Sequence, residues 1–140
     1  MTSSTADFQF ELVSHCLKIR ALGRHLIEQK EDAFRTIAAA IEDCAPRSLL
    51  VDIREVPGPY TFMDYVGLGE HAGRYLSRVP VAVMALESQL DPDRIGKVVA
   101  QNRGANVEVF TDPDEAQAWL QKYLLPQPSV SAPAGCRLQS

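Results

Sequence analysis

The chain has no long apolar run, no clustered positive charge and no metal-ligand spacing, and each absence removes a class of function. No stretch approaches the ~20 apolar residues that a membrane span requires. Lys and Arg number 14 against 18 Asp and Glu. That balance disfavours nucleic acid and anionic membrane as partners, because both need grouped cations to release counterions. His15, His25 and His71 are scattered, and neither Cys-x-x-Cys nor His-x-x-x-His occurs, so no metal or cofactor is expected. Cys16, Cys44 and Cys136 are an odd number at wide spacing, which suits a reducing cytoplasm better than a disulfide framework. The opening Met1-Thr2-Ser3-Ser4-Thr5 shows no basic region followed by an apolar core, so no secretory signal is expected and the localisation read from sequence is cytoplasmic.

What remains is the composition of a globular domain, 46% hydrophobic and 23% charged over 140 residues. A chain of that length buries about two thirds of its unfolded surface as one domain. Phe8, Phe10 and Leu12 alternate with Gln9 and Glu11, and Leu17, Ile19 and Ala21 alternate with Lys18 and Arg20. Both runs have period two, and a turn near Ser14-His15 joins them as a hairpin. From about Gln29 the spacing changes to Phe34, Ile37, Ala38 and Ile41, one helical stripe, with Pro46 beyond its end.

Leu49 to Ile53 and Val81 to Leu86 are nearly continuous apolar runs, the pattern of parallel strands covered on both faces. Between them Phe62, Val66, Gly69, Ala72, Gly73 and Leu76 recur on one helical face, and the glycines predict a close approach to the sheet. Asp91-Pro92 reads as a helix start with Ile95, Val98 and Val99 inside and Gly104 at the end. Val107, Val109 and Phe110 make a last strand. Asp112-Pro113-Asp114-Glu115 opens a final helix that buries Ala116, Trp119, Leu120, Tyr123 and Leu124.

The order β-β-α-β-α-β-α-β-α predicts an α/β fold, a mixed and mostly parallel five-stranded sheet covered by four helices. The expected division is an N-terminal extension at 1–7, one domain at 8–125 and a proline-containing tail at 126–140.

The strand Leu49-Leu50-Val51-Asp52-Ile53 followed by Phe62-Met63-Asp64-Tyr65-Val66-Gly67-Leu68-Gly69 resembles the signature of STAS domains, the anti-sigma-factor-antagonist fold. There a strand ending in Asp leads into a motif of the type Asp-Ser-Ser-Gly-Leu-Gly. The closing pattern Val107 to Leu120 is similar to that of bacterial SpoIIAA-like proteins of the STAS/SEC14 group. The resemblance spans roughly residues 8 to 124 and implies the same layout as the periodicity. It also implies a regulatory role in which the serine before the first glycine is a phosphorylation switch. Here Tyr65 and Val66 stand at the two serine positions, so the resemblance implies that the hydroxyl switch is lost.

Partners of open parallel sheets meet the carboxyl ends of the strands. The loop from Arg54 to Thr61, with Pro57, Gly58 and Pro59, reads equally as a shaped recognition surface and as a rigid connector. Asp64 suits the first turn of a helix, and Thr61 is a second capping residue and the hydroxyl nearest the lost switch. Asp52 is expected to pair with Arg54 or to accept hydrogen bonds from the loop. No nucleophile, base or metal set assembles, so no enzymatic activity is expected. The leading expectation is a regulatory module binding a protein through Arg54, Tyr60, Thr61, Asp64 and Tyr65. The alternative, from the SEC14 side, is a carrier or sensor of a small apolar ligand, with room under the second helix at Gly67, Gly69, Ala72 and Gly73. An exposed edge strand beside the hairpin leaves a homodimer open.

Overall fold

The structure is a computed structural model that describes the backbone of residues 2–4 and the whole of residues 7–123. Six strands form one sheet in chain order: β1 (Thr2–Ser4), β2 (Phe8–Val13), β3 (Cys16–Ala21), β4 (Ser48–Asp52), β5 (Val81–Met84) and β6 (Val107–Phe110). The first three are antiparallel, and β3 to β6 are parallel. The helices are α1 (His25–Glu28), α2 (Lys30–Cys44), α3 (Phe62–Tyr75), α4 (Ile95–Asn102) and α5 (Pro113–Gln121), with a 3-10 turn at Glu87–Gln89.

The hairpin turn falls at Ser14 and His15, both with positive φ, between the paired Val13 and Cys16. That is the backbone a two-residue connection requires to match strand twist. Alternation then sends Phe8, Phe10, Leu17, Ile19, Leu49, Val51, Val81 and Val107 into the main core with Phe34, Ile37, Ala72 and Ala100 of α2, α3 and α4 and with Leu76, which caps the end of α3. The opposite face carries a smaller cluster in which Leu120 and Trp119 of α5 cover Cys16, Leu50, Ala82 and Phe110.

The α/β class and the mixed sheet are as expected, and the details differ in four places. The sheet has a sixth strand, because Thr2–Ser4, placed by sequence in an extension, pairs with Gln9–Glu11. Its pairing is through the backbone and leaves no apolar alternation to read. The helices number five among the described residues, because a single turn, α1, precedes α2. Helix α4 begins at Ile95 instead of Asp91-Pro92, since Arg94 takes a left-handed φ of 52°. Asp91 still serves that helix from outside, accepting from the backbone N–H of Asp93 and Ile95 at 3.2 and 3.1 Å. Val98 therefore turns outward, at 42% exposed.

The fourth difference concerns cysteine. Cys16 is a buried free thiol whose pKa burial pushes up, whereas Cys44 is disulfide-bonded. The wide spacing of the cysteines favoured reduced thiols over a disulfide framework, and Cys44 departs from that at one residue, because spacing along the chain says nothing of distance in space. The tail at 126–140 and Leu124 lie outside the described residues. Among the described residues no helix is long and apolar enough to cross a membrane.

Candidate functional site

The carboxyl ends of β4 and β5 converge on the start of α3. Asp52 closes β4 and receives Arg54 three times, from its backbone N–H and Nε to Oδ1 at 3.0 Å and from Nη2 to Oδ2 at 2.9 Å. Burial raises the Asp52 carboxyl, but the hydrogen bonds from Arg54 and the charges of Arg54 and Arg20 outweigh it and leave the group below its ordinary value. The expected pairing of Asp52 is thus present in both its forms.

The loop that follows is fastened along its length. Val56 is buried and its carbonyl accepts from the Tyr60 hydroxyl. Arg24 Nη1 donates to the carbonyls of Pro57 and Pro59 at 2.7 and 3.0 Å, and Arg20 pairs with Glu55. These contacts hold the loop in one shape, with Pro57, Gly58 and Pro59 exposed on the outside.

Thr61 and Asp64 form a reciprocal cap. Thr61 Oγ1 accepts from the Asp64 N–H at 3.1 Å, and Asp64 Oδ2 accepts from the Thr61 N–H at 2.8 Å. Asp64 Oδ1 also accepts from Lys30 Nζ at 3.0 Å, and Lys30 donates as well to the Ile27 carbonyl at 2.7 Å. The Thr61 N–H, then Lys30, hold the Asp64 carboxyl below the usual carboxylate range despite burial. The Thr61 hydroxyl is therefore part of the helix start.

Tyr65 turns inward. Its ring meets Tyr60 edge-on at 5.8 Å, and its hydroxyl donates to the Gln89 carbonyl at 2.7 Å. Burial pushes both tyrosine hydroxyls up, and the Asp91 charge adds to this at Tyr65. Gln89, only 7% exposed, is a hub: the sequence places it at this edge but gives it no role. Its Nε2 reaches the carbonyls of Ile53 and Val56 at 2.8 and 3.0 Å and the Tyr60 hydroxyl at 3.1 Å, while Oε1 accepts from the Leu86 N–H at 2.7 Å. Its one signal in the sequence is its position just after a buried strand at the same sheet edge.

The five predicted contact residues are thus gathered at one edge, but unequally. Arg54 and Thr61 face solvent, whereas Tyr60, Asp64 and Tyr65 are half-buried and bonded internally. Phe62 and Met63 are exposed instead, at 63% and 66%. Phe62 was expected on the inner stripe, but the cap rotates the first turn so that the stripe begins at Tyr65 and Leu68. Val66 is half-buried and offers no nucleophile.

Beneath α3 lies an apolar cavity of about 120 Å³, bounded by α2, α4 and the sheet, with Tyr60, Tyr65 and Gln89 in its wall. Of the small residues expected to leave room there, Gly69 and Ala72 line it and Gly67 and Gly73 do not. The glycines do not bring α3 to the sheet. Gly69 lies against the Gly96 carbonyl and Val99 of α4, Gly73 against Arg103, and Gly67 against Lys30 of α2. Among the described residues no group of three or more His, Cys, Asp or Glu side chains is placed to hold a metal ion.

No family model matches the chain, and no curated protein matches it. Among solved structures, the chain is similar to an uncharacterised protein of the DUF3478 family with a SpoIIAA-like fold from Shewanella loihica PV-4. The two are 21% identical over 86% of this chain and 90% of that one, with a TM-score of 0.42. A likeness at that level transfers no residue role and no ligand, and the fold stands on the strand order described above.

Proposed function

We propose that the protein is a STAS-like, SpoIIAA-like interaction module that binds a protein partner through the start of α3, without a serine phospho-switch. The observation that carries this reading is the exposure of Phe62 and Met63 on a helix turn that the Thr61–Asp64 cap holds in place. Large apolar side chains fixed at a surface lose little entropy on binding, and such patches mark contact sites. Arg54 and Thr61 form the polar rim, while Tyr60, Asp64 and Tyr65 brace the turn from within. The module is non-enzymatic in this reading, since Asp52, Glu55 and Asp64 are committed to Arg54, to Arg20 and to Lys30 with the cap. The partner presents an apolar depression that receives Phe62 and Met63.

The test is affinity capture from native lysate with wild type beside a Phe62→Ser, Met63→Ser variant. Both side chains are exposed, so the variant keeps its fold, which a thermal melt verifies. A partner held at least tenfold less well by the variant is expected, the loss typical of truncated contact anchors, about 1.4 kcal/mol or more. A partner held equally by both forms would sink the proposal.

A second reading, a carrier or sensor of a small apolar molecule, is favoured by the cavity beneath α3.

A further inference from the structure

The cavity beneath α3 has dimensions and chemistry that limit what it can hold. At about 120 Å³ it falls below the roughly 300–1,000 Å³ of sites for drug-sized ligands. It is close to the ~150 Å³ of apolar protein cavities that take benzene or xenon. Its surface is largely apolar, with Ile37, Val51, Leu68, Ala72, Val83 and Val109 in the wall.

Each polar side chain that reaches it makes at least one bond within the protein, the Tyr60 hydroxyl to the Val56 carbonyl among them. Tyr65 donates to the Gln89 carbonyl, and the Gln89 amide is held by the β4–α3 loop and Leu86. Asp91 accepts from the backbone at the start of α4, and Arg94 Nη1 donates to the Asp91 carbonyl at 2.6 Å. Lys97 pairs with Glu108 at 2.6 Å. A carboxylate or phosphate head group drawn inside would lose its hydration against a surface that is almost wholly apolar, and burying a charge there is costly.

We infer that the cavity binds a compact neutral apolar molecule, of the size of one six-membered carbon ring, and not a fatty acid or a phospholipid. This rests on the carrier reading and names its ligand class. Selection then works by size and by the cost of leaving a charged group unpaired, not by attraction to a head group.

The full chain is titrated with benzene and, separately, with decanoate, following backbone amide shifts and the melting temperature. Benzene is expected to saturate, to move the amides of Leu68, Ala72 and Val83, and to raise the melting temperature, while decanoate moves none of them. An Ala72→Leu variant, whose side chain enters the cavity, is expected to bind benzene about tenfold more weakly or not at all. The shift map on wild type decides the matter if that variant does not fold. Decanoate binding at these residues without benzene would overturn the ligand class and leave the carrier reading standing. Benzene shifts confined to other residues would overturn the assignment of the site. Binding of neither probe would overturn both.

Discussion

Along one flank α3 is pressed against α4 with almost nothing between the backbones, and along the other it meets α2 through charges and rings. On the α4 side, a Cβ added at Gly69 would lie 2.5 Å from the Gly96 carbonyl oxygen and 2.7 Å from Val99 Cβ. One at Gly73 would lie 2.5 Å from Arg103 Cβ. On the α2 side, Lys30 pairs with Asp64, and Glu31 meets His71 Nε2 at 3.2 Å, Arg35 Nε at 3.0 Å and the Tyr75 hydroxyl. Phe34 packs its ring against His71 and Tyr75 at 5.5 and 6.5 Å. The first flank fixes a distance and tolerates no added atom. The second fixes a direction and responds to protons and salt.

The largest effect is expected at Gly69. An alanine there gains roughly 1 kcal/mol of helix propensity. Overpacking against a backbone oxygen, which cannot swing away, costs about 1–3 kcal/mol. We expect Gly69→Ala to be net destabilising by about 1 kcal/mol, as a lower urea midpoint at unchanged slope. A variant as stable as wild type would break the steric account of that flank.

Asp64→Asn probes the polar flank and is expected to cost somewhat less. The amide oxygen can still accept from Thr61, but Lys30 loses its charge partner and the helix start loses its anion, together about 0.5–1 kcal/mol for side chains exposed to this degree. The pH dependence sharpens the point. The Asp64 carboxyl is lowered in the folded state, so its contribution is complete above the ordinary carboxylate value near ~4 and is lost as pH falls through the lower folded value. Stability of wild type should therefore fall more steeply below about pH 4 than that of Asp64→Asn, as measured by urea unfolding across that range. Parallel curves would remove Asp64 as the linked group.

Gly67→Ala carries the smallest expected effect and the opposite sign. Its Cβ would sit 3.1 Å from Cδ and Cε of Lys30, a side chain that can give by a few tenths of an ångström. The gain in helix propensity then survives in part, and the melting temperature should rise by a degree or two, for up to about 0.5 kcal/mol. A loss as large as that at Gly69 would mean that the polar flank is as unforgiving as the other.

Much of this architecture was legible before any coordinates. Period-two alternation placed β2 and β3, and unbroken apolar runs placed β4 and β5, because each strand buries side chains in the pattern its faces demand. The capping chemistry of Thr61, Asp64 and Asp112 is local, so it too could be read. What escaped depends on residues far apart in the chain. A helical period says which glycines share a face but not which neighbour meets that face, so Gly69 and Gly73 were assigned to the sheet and belong to α4. Tyr65 could point outward or inward by its own preferences, and the carbonyl that decides it belongs to Gln89. Asp91-Pro92 fulfils the local rules for a helix start, yet Arg94 in the left-handed region delays the helix to Ile95.

The six strands lie side by side in the order in which they occur along the chain. No strand has to be inserted between two that are already paired. Each one leaving the ribosome finds its neighbour made just before it, and the growing edge is always the newest. The loops to be closed are those between consecutive strands, so the search at each step stays short. A sheet ordered this way suits assembly during synthesis. A circular permutant opened between β3 and β4 would have to fold without that sequence of events.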